Sequence, residues 1–271
     1  MGKISDEARQ QYYERIKEYK QSAEAILQRE RSIQKMLSEE DPGTPYKRVT
    51  LAEERLNLAS YYLLQNRVSV ALLGVKADNF LNDARKSCYQ SVIYLEDVVS
   101  SYIDAPFSDY EEQLALIEGM DDQKRHHLIR KLGFTIQSVE EAFGPNTKWK
   151  WSFVELEGRF TTVAKNIVDF KNMVSKLDPR IEGYRDRIAH LDLVKELLMQ
   201  SADRYREKYE LSTNRIDDFK TGVAYLSALR RVHAILSEPD QAEQVKKKLD
   251  VWKSKLTADE KRVSSAQSNS S

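Results

Sequence analysis

The sequence is poor in everything that breaks a helix. It holds nine glycines and six prolines in 271 residues. Sheets and enzyme loops consume both, so their scarcity points to long, uninterrupted helices. A single cysteine, Cys88, excludes an internal disulfide framework and leaves the compartment open. No window of about 18 apolar residues occurs, which excludes a membrane-spanning helix. The first 30 residues are polar throughout, so they read as no secretory signal. Met1-Gly2-Lys3 is also how a start added after removal of a signal would look. The expected compartment is periplasmic in that case and cytoplasmic otherwise. Net charge is missing as well: 43 Lys+Arg balance 43 Asp+Glu. That balance argues against nucleic acid as a partner and against an acidic tail.

Chemical motifs are equally sparse. No Glu-x-x-His or His-Glu-x-x-His spacing occurs, and no glycine-rich phosphate loop or nucleophile elbow is present. The four histidines are His126, His127, His190 and His233. The adjacent pair points to different sides of a helix and cannot chelate one metal. His190 lies beside a helix seam and reads as a hydrogen-bonded or surface histidine. Cys88 sits on a seam and reads as a small buried apolar residue. Carboxylates interleave with Lys and Arg at helical spacing, as on a solvated face. The expectation is therefore no enzyme, no cofactor and no metal.

What the sequence does have is heptad periodicity. Tyr12, Ile16, Tyr19, Ala23, Ile26, Ile33 and Leu37 alternate in steps of four and three, with Glu30 breaking the seam. They predict one helix over 6–39, about 50 Å long at ~1.5 Å per residue. Further helices are predicted over 50–65 and 68–104, with Asn66 turning the chain between them. Short helices follow, one stopping at Gly119 and a pair bent at Gly133. Phe153, Leu156, Phe160, Val163, Ile167, Phe170, Val174 and Leu177 predict one unbroken helix, with Asp178-Pro179 restarting the next. Two more are separated by Asn214, and a last one follows Pro239. No strand pattern occurs. The expected class is all-α, an elongated bundle of long antiparallel helices. Gly144-Pro145-Asn146 is the strongest break. It divides an N-terminal arm (1–143) from a C-terminal arm (147–262), followed by a disordered Ser/Asn/Gln tail (263–271).

A shift of 148 residues superposes Tyr61, Asn66 and Gly74 on Tyr209, Asn214 and Gly222. Duplication and chance in helical composition both account for this echo. Leu58, Ala59, Tyr62, Asn66, Val68 and Ala71 fall where a tetratricopeptide repeat places its leucine, small residue, aromatic, turn residue, apolar residue and alanine. Residues 51–78 thus resemble one such repeat, with Asn66 in place of the usual glycine and Asp78 in place of an expected alanine. The resemblance implies a hairpin that binds protein segments. In kind, the whole chain is similar to the all-helical flagellar coiling proteins of the spirochaete filament sheath. That similarity implies a structural component of an assembly.

One local feature stands out. Lys148-Trp149-Lys150-Trp151-Ser152-Phe153 follows the Gly-Pro break. Two positions ~200° apart on a helix cannot both face one core. Either one tryptophan plugs the junction between bundles, or Trp149 or Trp151, with Tyr61 and Tyr62, contacts a protein partner. The functional expectation is a non-enzymatic scaffold or assembly protein. The alternative is a peripheral membrane-shaping module that binds anionic lipid. Charge neutrality and the lack of long basic rows favour the scaffold, since each basic residue contributes only ~1 kcal/mol at a membrane surface.

Overall fold

A computed structural model describes residues 4–145 and 147–268, so Met1-Gly2-Lys3, Asn146 and the last three residues lie outside the described part. Ten α-helices, and no strand among the described residues, make an all-α helical bundle. Cα proximity divides the chain into two compact units. The first takes the chain up to Ser100, with Gln113–Gly119 and His127–Lys150. The second takes Ser101–Glu112, Met120–His126 and the chain from Trp151 onward. Of the arm expected over 1–143, residues 101–112 and 120–126 therefore count with the second unit.

In the first unit α1 (Asp6–Gln34) and α3 (Asp78–Val99) both pack along α2 (Thr44–Leu73). Ser5 caps α1 by accepting from the Ala8 amide at 3.2 Å, and Asp6 and Glu7 complement the dipole of its first turn. The helix ends at Gln34 rather than running to residue 39. Beyond it, Thr44 Oγ1 donates to Ser38 O and accepts from Ser38 N, which folds the connecting loop onto the start of α2. The seam is real, because Ile16, Ala23 and Ile26 are buried.

The largest correction concerns Asn66. The predicted turn there does not form: α2 runs straight through, and the chain turns eight residues later at Gly74, which takes the left-handed conformation (φ 66°) open to glycine. Asn66 is buried in the helix, and its Oδ1 accepts from the Ala77 amide at 2.9 Å. It satisfies an orphan donor at the start of α3 instead of bending its own backbone. The tetratricopeptide-type hairpin turning at Asn66 is thereby overturned, as is the pairing with Asn214, which does turn the chain (φ 50°). Gly74 and Gly222 likewise differ, the one capping a helix and the other lying inside α9. The echo is one of composition and not of structural position.

After α4 (Glu111–Ala115), α5 (Asp122–Phe143) continues without a break through Gly133, so the predicted pair is one helix. Gly144 (φ 82°) ends it where the break was expected. α6 (Lys150–Asn166) and α7 (Phe170–Ser175) replace the single helix predicted from the unbroken seam. Asp169 stops it by capping α7, its Oδ1 accepting from the Asn172 amide at 3.1 Å. The seam survives the interruption, since Ile167, Val168 and Phe170 stay buried. Asp178 accepts from Arg180 N at 2.9 Å in a tight turn, and α8 (Tyr184–Lys208) starts after Gly183 rather than at Pro179.

α8, α9 (Ile216–Ile235) and α10 (Pro239–Ser268) complete the second unit, with α8 and α10 packed on α9. α10 continues to Ser268, into the tail whose composition predicts disorder. Ser264 and Ser265 contribute hydroxyl bonds to carbonyls one turn back. Stacked rings fill the interior: Tyr205 with Tyr225 at 5.6 Å and Tyr209 with Phe219 at 5.1 Å between centroids. Tyr209 OH finds Asp259 at 2.9 Å, an in-chain partner of the kind a buried tyrosine needs.

Gly222 shows why α9 tolerates a mid-helix glycine. A Cβ there would meet Ala202 O at 3.0 Å and Trp252 Cζ3 at 3.3 Å. Gly222→Ala should therefore destabilise by about 1–2 kcal/mol, the overpacking outweighing the ~1 kcal/mol gained in helix propensity. Thermal unfolding followed by circular dichroism checks this, and a raised melting temperature would contradict the close approach.

Candidate functional site

Three of the four aromatic residues singled out by the sequence, Trp149, Tyr61 and Tyr62, pack against neighbours in their own unit. Trp149 lies in the loop between α5 and α6, its amide bonded to Thr147 Oγ1 at 3.2 Å. The Arg85 guanidinium of α3 sits over its ring, 4.0 Å from the centroid, with Lys148 at 5.4 Å. Such a contact contributes up to about 2 kcal/mol when desolvated. Trp151 is half-buried in the first turn of α6 and belongs to the second unit. Tyr61 and Tyr62 diverge on α2: Tyr61 meets Tyr19 of α1 at 6.3 Å, and Tyr62 stacks on Phe80 of α3 at 6.4 Å. Both also pack on Ala23, Ile26 and Leu58.

Tyr61 also borders an open groove of about 440 Å³ between α1 and α2. Ser22, Ala25, Asn57 and Ser60 are too small to fill the space between the helices, while Arg29 and Leu64 flank it. Arg29 is held by Glu54 at 2.9 Å. Further along α1, Tyr13 is 64 % exposed, with its ring edge against Tyr12.

Beneath this surface lies a network the seam reading missed. Glu30, the residue that breaks the seam, is only 3 % exposed. Its carboxylate takes Arg55 of α2 at 2.6 Å and the Tyr94 hydroxyl of α3 at 2.7 Å. Gln34 donates in turn to the Tyr94 oxygen. Burial, with the carboxylate beside it, holds the Tyr94 phenol above its ordinary range. One carboxylate thus ties α1, α2 and α3 together. The signal was a charge inside an apolar stripe, which implies a buried counter-charge.

The second unit has its own charged interior around the end of α6. Arg187 of α8 is 4 % exposed. It donates to Asp122 at 3.1 Å and to the carbonyls of Lys176, Ile181 and Glu182, strapping down the loop before α8. Arg125 of α5 reaches Met120 O at 2.8 Å and Ile167 O at 3.0 Å. Lys165 touches Ala105 O at 3.4 Å and Tyr110 OH at 3.5 Å. Burial pushes its ammonium down to about 8, with Arg231 acting the same way against Asp104. His126 and His190 are buried side by side. His127 is exposed. Cys88 in the first unit is fully buried, and that burial pushes its thiol up to about 12, far from a reactive thiolate. Among the described residues no cluster of His, Cys, Asp or Glu could hold a metal ion.

Glu30→Ala should cost about 3 kcal/mol, because it leaves Arg55 and Tyr94 without their shared acceptor inside the first unit. Urea unfolding measures this. A loss below about 0.5 kcal/mol would mean that the carboxylate is no more than a surface group.

Comparison with known proteins yields one family. The model of the TP0443 family matches residues 8–260, nearly the whole chain. No curated protein and no solved structure matches it.

Proposed function

This chain belongs to the TP0443 family, and we propose that it is a non-enzymatic helical scaffold whose surfaces bind protein partners in an assembly. The observation that carries this reading is the groove between α1 and α2. Small side chains keep it open and Tyr61 forms one wall. A neighbouring helix seats in such a valley between two helices, and tyrosine supplies contact area at low entropic cost. Trp149, half-buried in the first unit, and Trp151, half-buried in the second, are separate candidates for partner contact, whereas Tyr62 serves the packing of α2 on α3. The inert Cys88 thiol fits a binding role rather than a nucleophilic one. The finer reading is a structural component of a flagellar filament sheath. It rests on the similarity in kind to the flagellar coiling proteins and on the spirochaete type of the family.

In native extracts the chain should run in an assembly well above its own 31.5 kDa. Ser60→Arg places a long charged side chain in the groove from an exposed position. It should return the chain to the free form, with the helical circular-dichroism signal unchanged. A wild-type chain that elutes alone at its own mass contradicts the scaffold. An assembly indifferent to Ser60→Arg contradicts the groove as its contact.

A further inference from the structure

α6 stops inside the second unit, so its last carbonyls need donors from other elements. Ala164 O receives one from His190 Nε2 at 3.1 Å, and Ile167 O one from Arg125 at 3.0 Å. A carbonyl only accepts, so the His190 proton resides on Nε2, and Nδ1 carries a bare lone pair with no hydrogen-bond partner. His126 lies parallel to it, with ring centroids 5.7 Å apart and planes 23° apart. The Nδ1 of His126 is 3.0 Å from the Asp186 carboxylate. His190 is fully buried and His126 is 5 % exposed.

The charges around the pair are unbalanced. α5 contributes Asp122 and Arg125, α6 contributes Lys165, and α8 contributes Asp186 and Arg187. Asp122 is engaged by Arg187 and Asp186 by His126. A proton arriving on His190 would meet a second imidazole and a guanidinium, offset only by the Ala164 carbonyl that accepts from Nε2. Burial holds His190 down to about 4, with the facing His126 and Arg125 acting the same way.

We propose that the His126/His190 pair is an acid-sensitive latch at the joint of the α5 first turn, the end of α6 and α8. The latch is closed while His190 is neutral and opens when His190 takes a proton. Its sign follows from linkage. An unfolded histidine takes its proton near ~6.5, above the folded value. Stability from this group is therefore complete above about pH 6.5 and lost progressively as pH falls toward 4.

The test compares wild type with His190→Gln, whose amide can still donate to Ala164 O but cannot charge. Between pH 7.5 and 4.5 the wild-type folding constant should drop by roughly 50–100-fold more than that of the variant. Parallel losses in the two proteins would overturn the latch. Should the variant fail to fold, imidazole nitrogen shifts of wild type decide the matter. His190 should stay neutral and Nε2-protonated down to about pH 4.5 in the folded protein, and titration between pH 6 and 7 overturns the proposal. Hydrogen exchange locates the opening: residues 122–126, 164–167 and 184–191 should lose protection first on acidification. First loss elsewhere also overturns it.

Discussion

A charge taken out of water must be met by opposite charge or by dipoles, and much of this fold is arranged to meet that demand. In the first unit a single carboxylate, Glu30, draws Arg55 and Tyr94 to itself from two other helices. In the second, Arg187 takes one carboxylate and three carbonyls, and so fixes where α8 begins. Apolar seams bring the helices together without specifying their register, because sliding one helix by a turn leaves much of the burial intact. Buried pairs do specify it. A register shift would leave an unpaired ion costing several kcal/mol.

The same demand explains where helices end. Orphan carbonyls at the end of α6 are tolerable in the interior only because Arg125 and His190 supply donors. Orphan donors at the start of α3 are tolerable because Asn66 offers an acceptor from the middle of α2. Glycine works on the complementary problem of close approach. Gly158 leaves room for the Tyr205 and Tyr225 rings, and Gly222 lets α9 come down on the backbone of α8. The proposed scaffold and the proposed latch thus draw on different features, the groove on surface shape and the histidine pair on interior charge.

The helical class and most buried faces were legible because 3.6-residue periodicity is a local signal. Ile16, Ala23, Ile26, Phe153, Leu156 and Phe160 all turn inward as their spacing implies. Helix ends were legible where the breaker acts through its own backbone, as at Gly144 and Asn214, and the start of α1 at Asp6 was legible as well. Asn66 and the stretch from Ile167 to Asp169 misled because their roles are set by side-chain bonds to other segments. An asparagine that bonds an amide eleven residues away looks in sequence like one that turns the chain. Of the candidate site, Tyr61 was found at a groove wall. The small residues opposite it on α1 carry no local pattern. Glu30 was visible as an anomaly, yet its partners lie 25 and 64 residues away.

Buried ion pairs, and not the apolar seams alone, fix the register of each unit. A double-mutant cycle on Asp122→Ala and Arg187→Met tests it most directly, because both side chains lie inside one unit and touch at 3.1 Å. The expected coupling energy in chemical unfolding is above about 1.5 kcal/mol. Single losses that add to within about 0.3–0.5 kcal/mol would contradict it and leave the seams as the sole determinant.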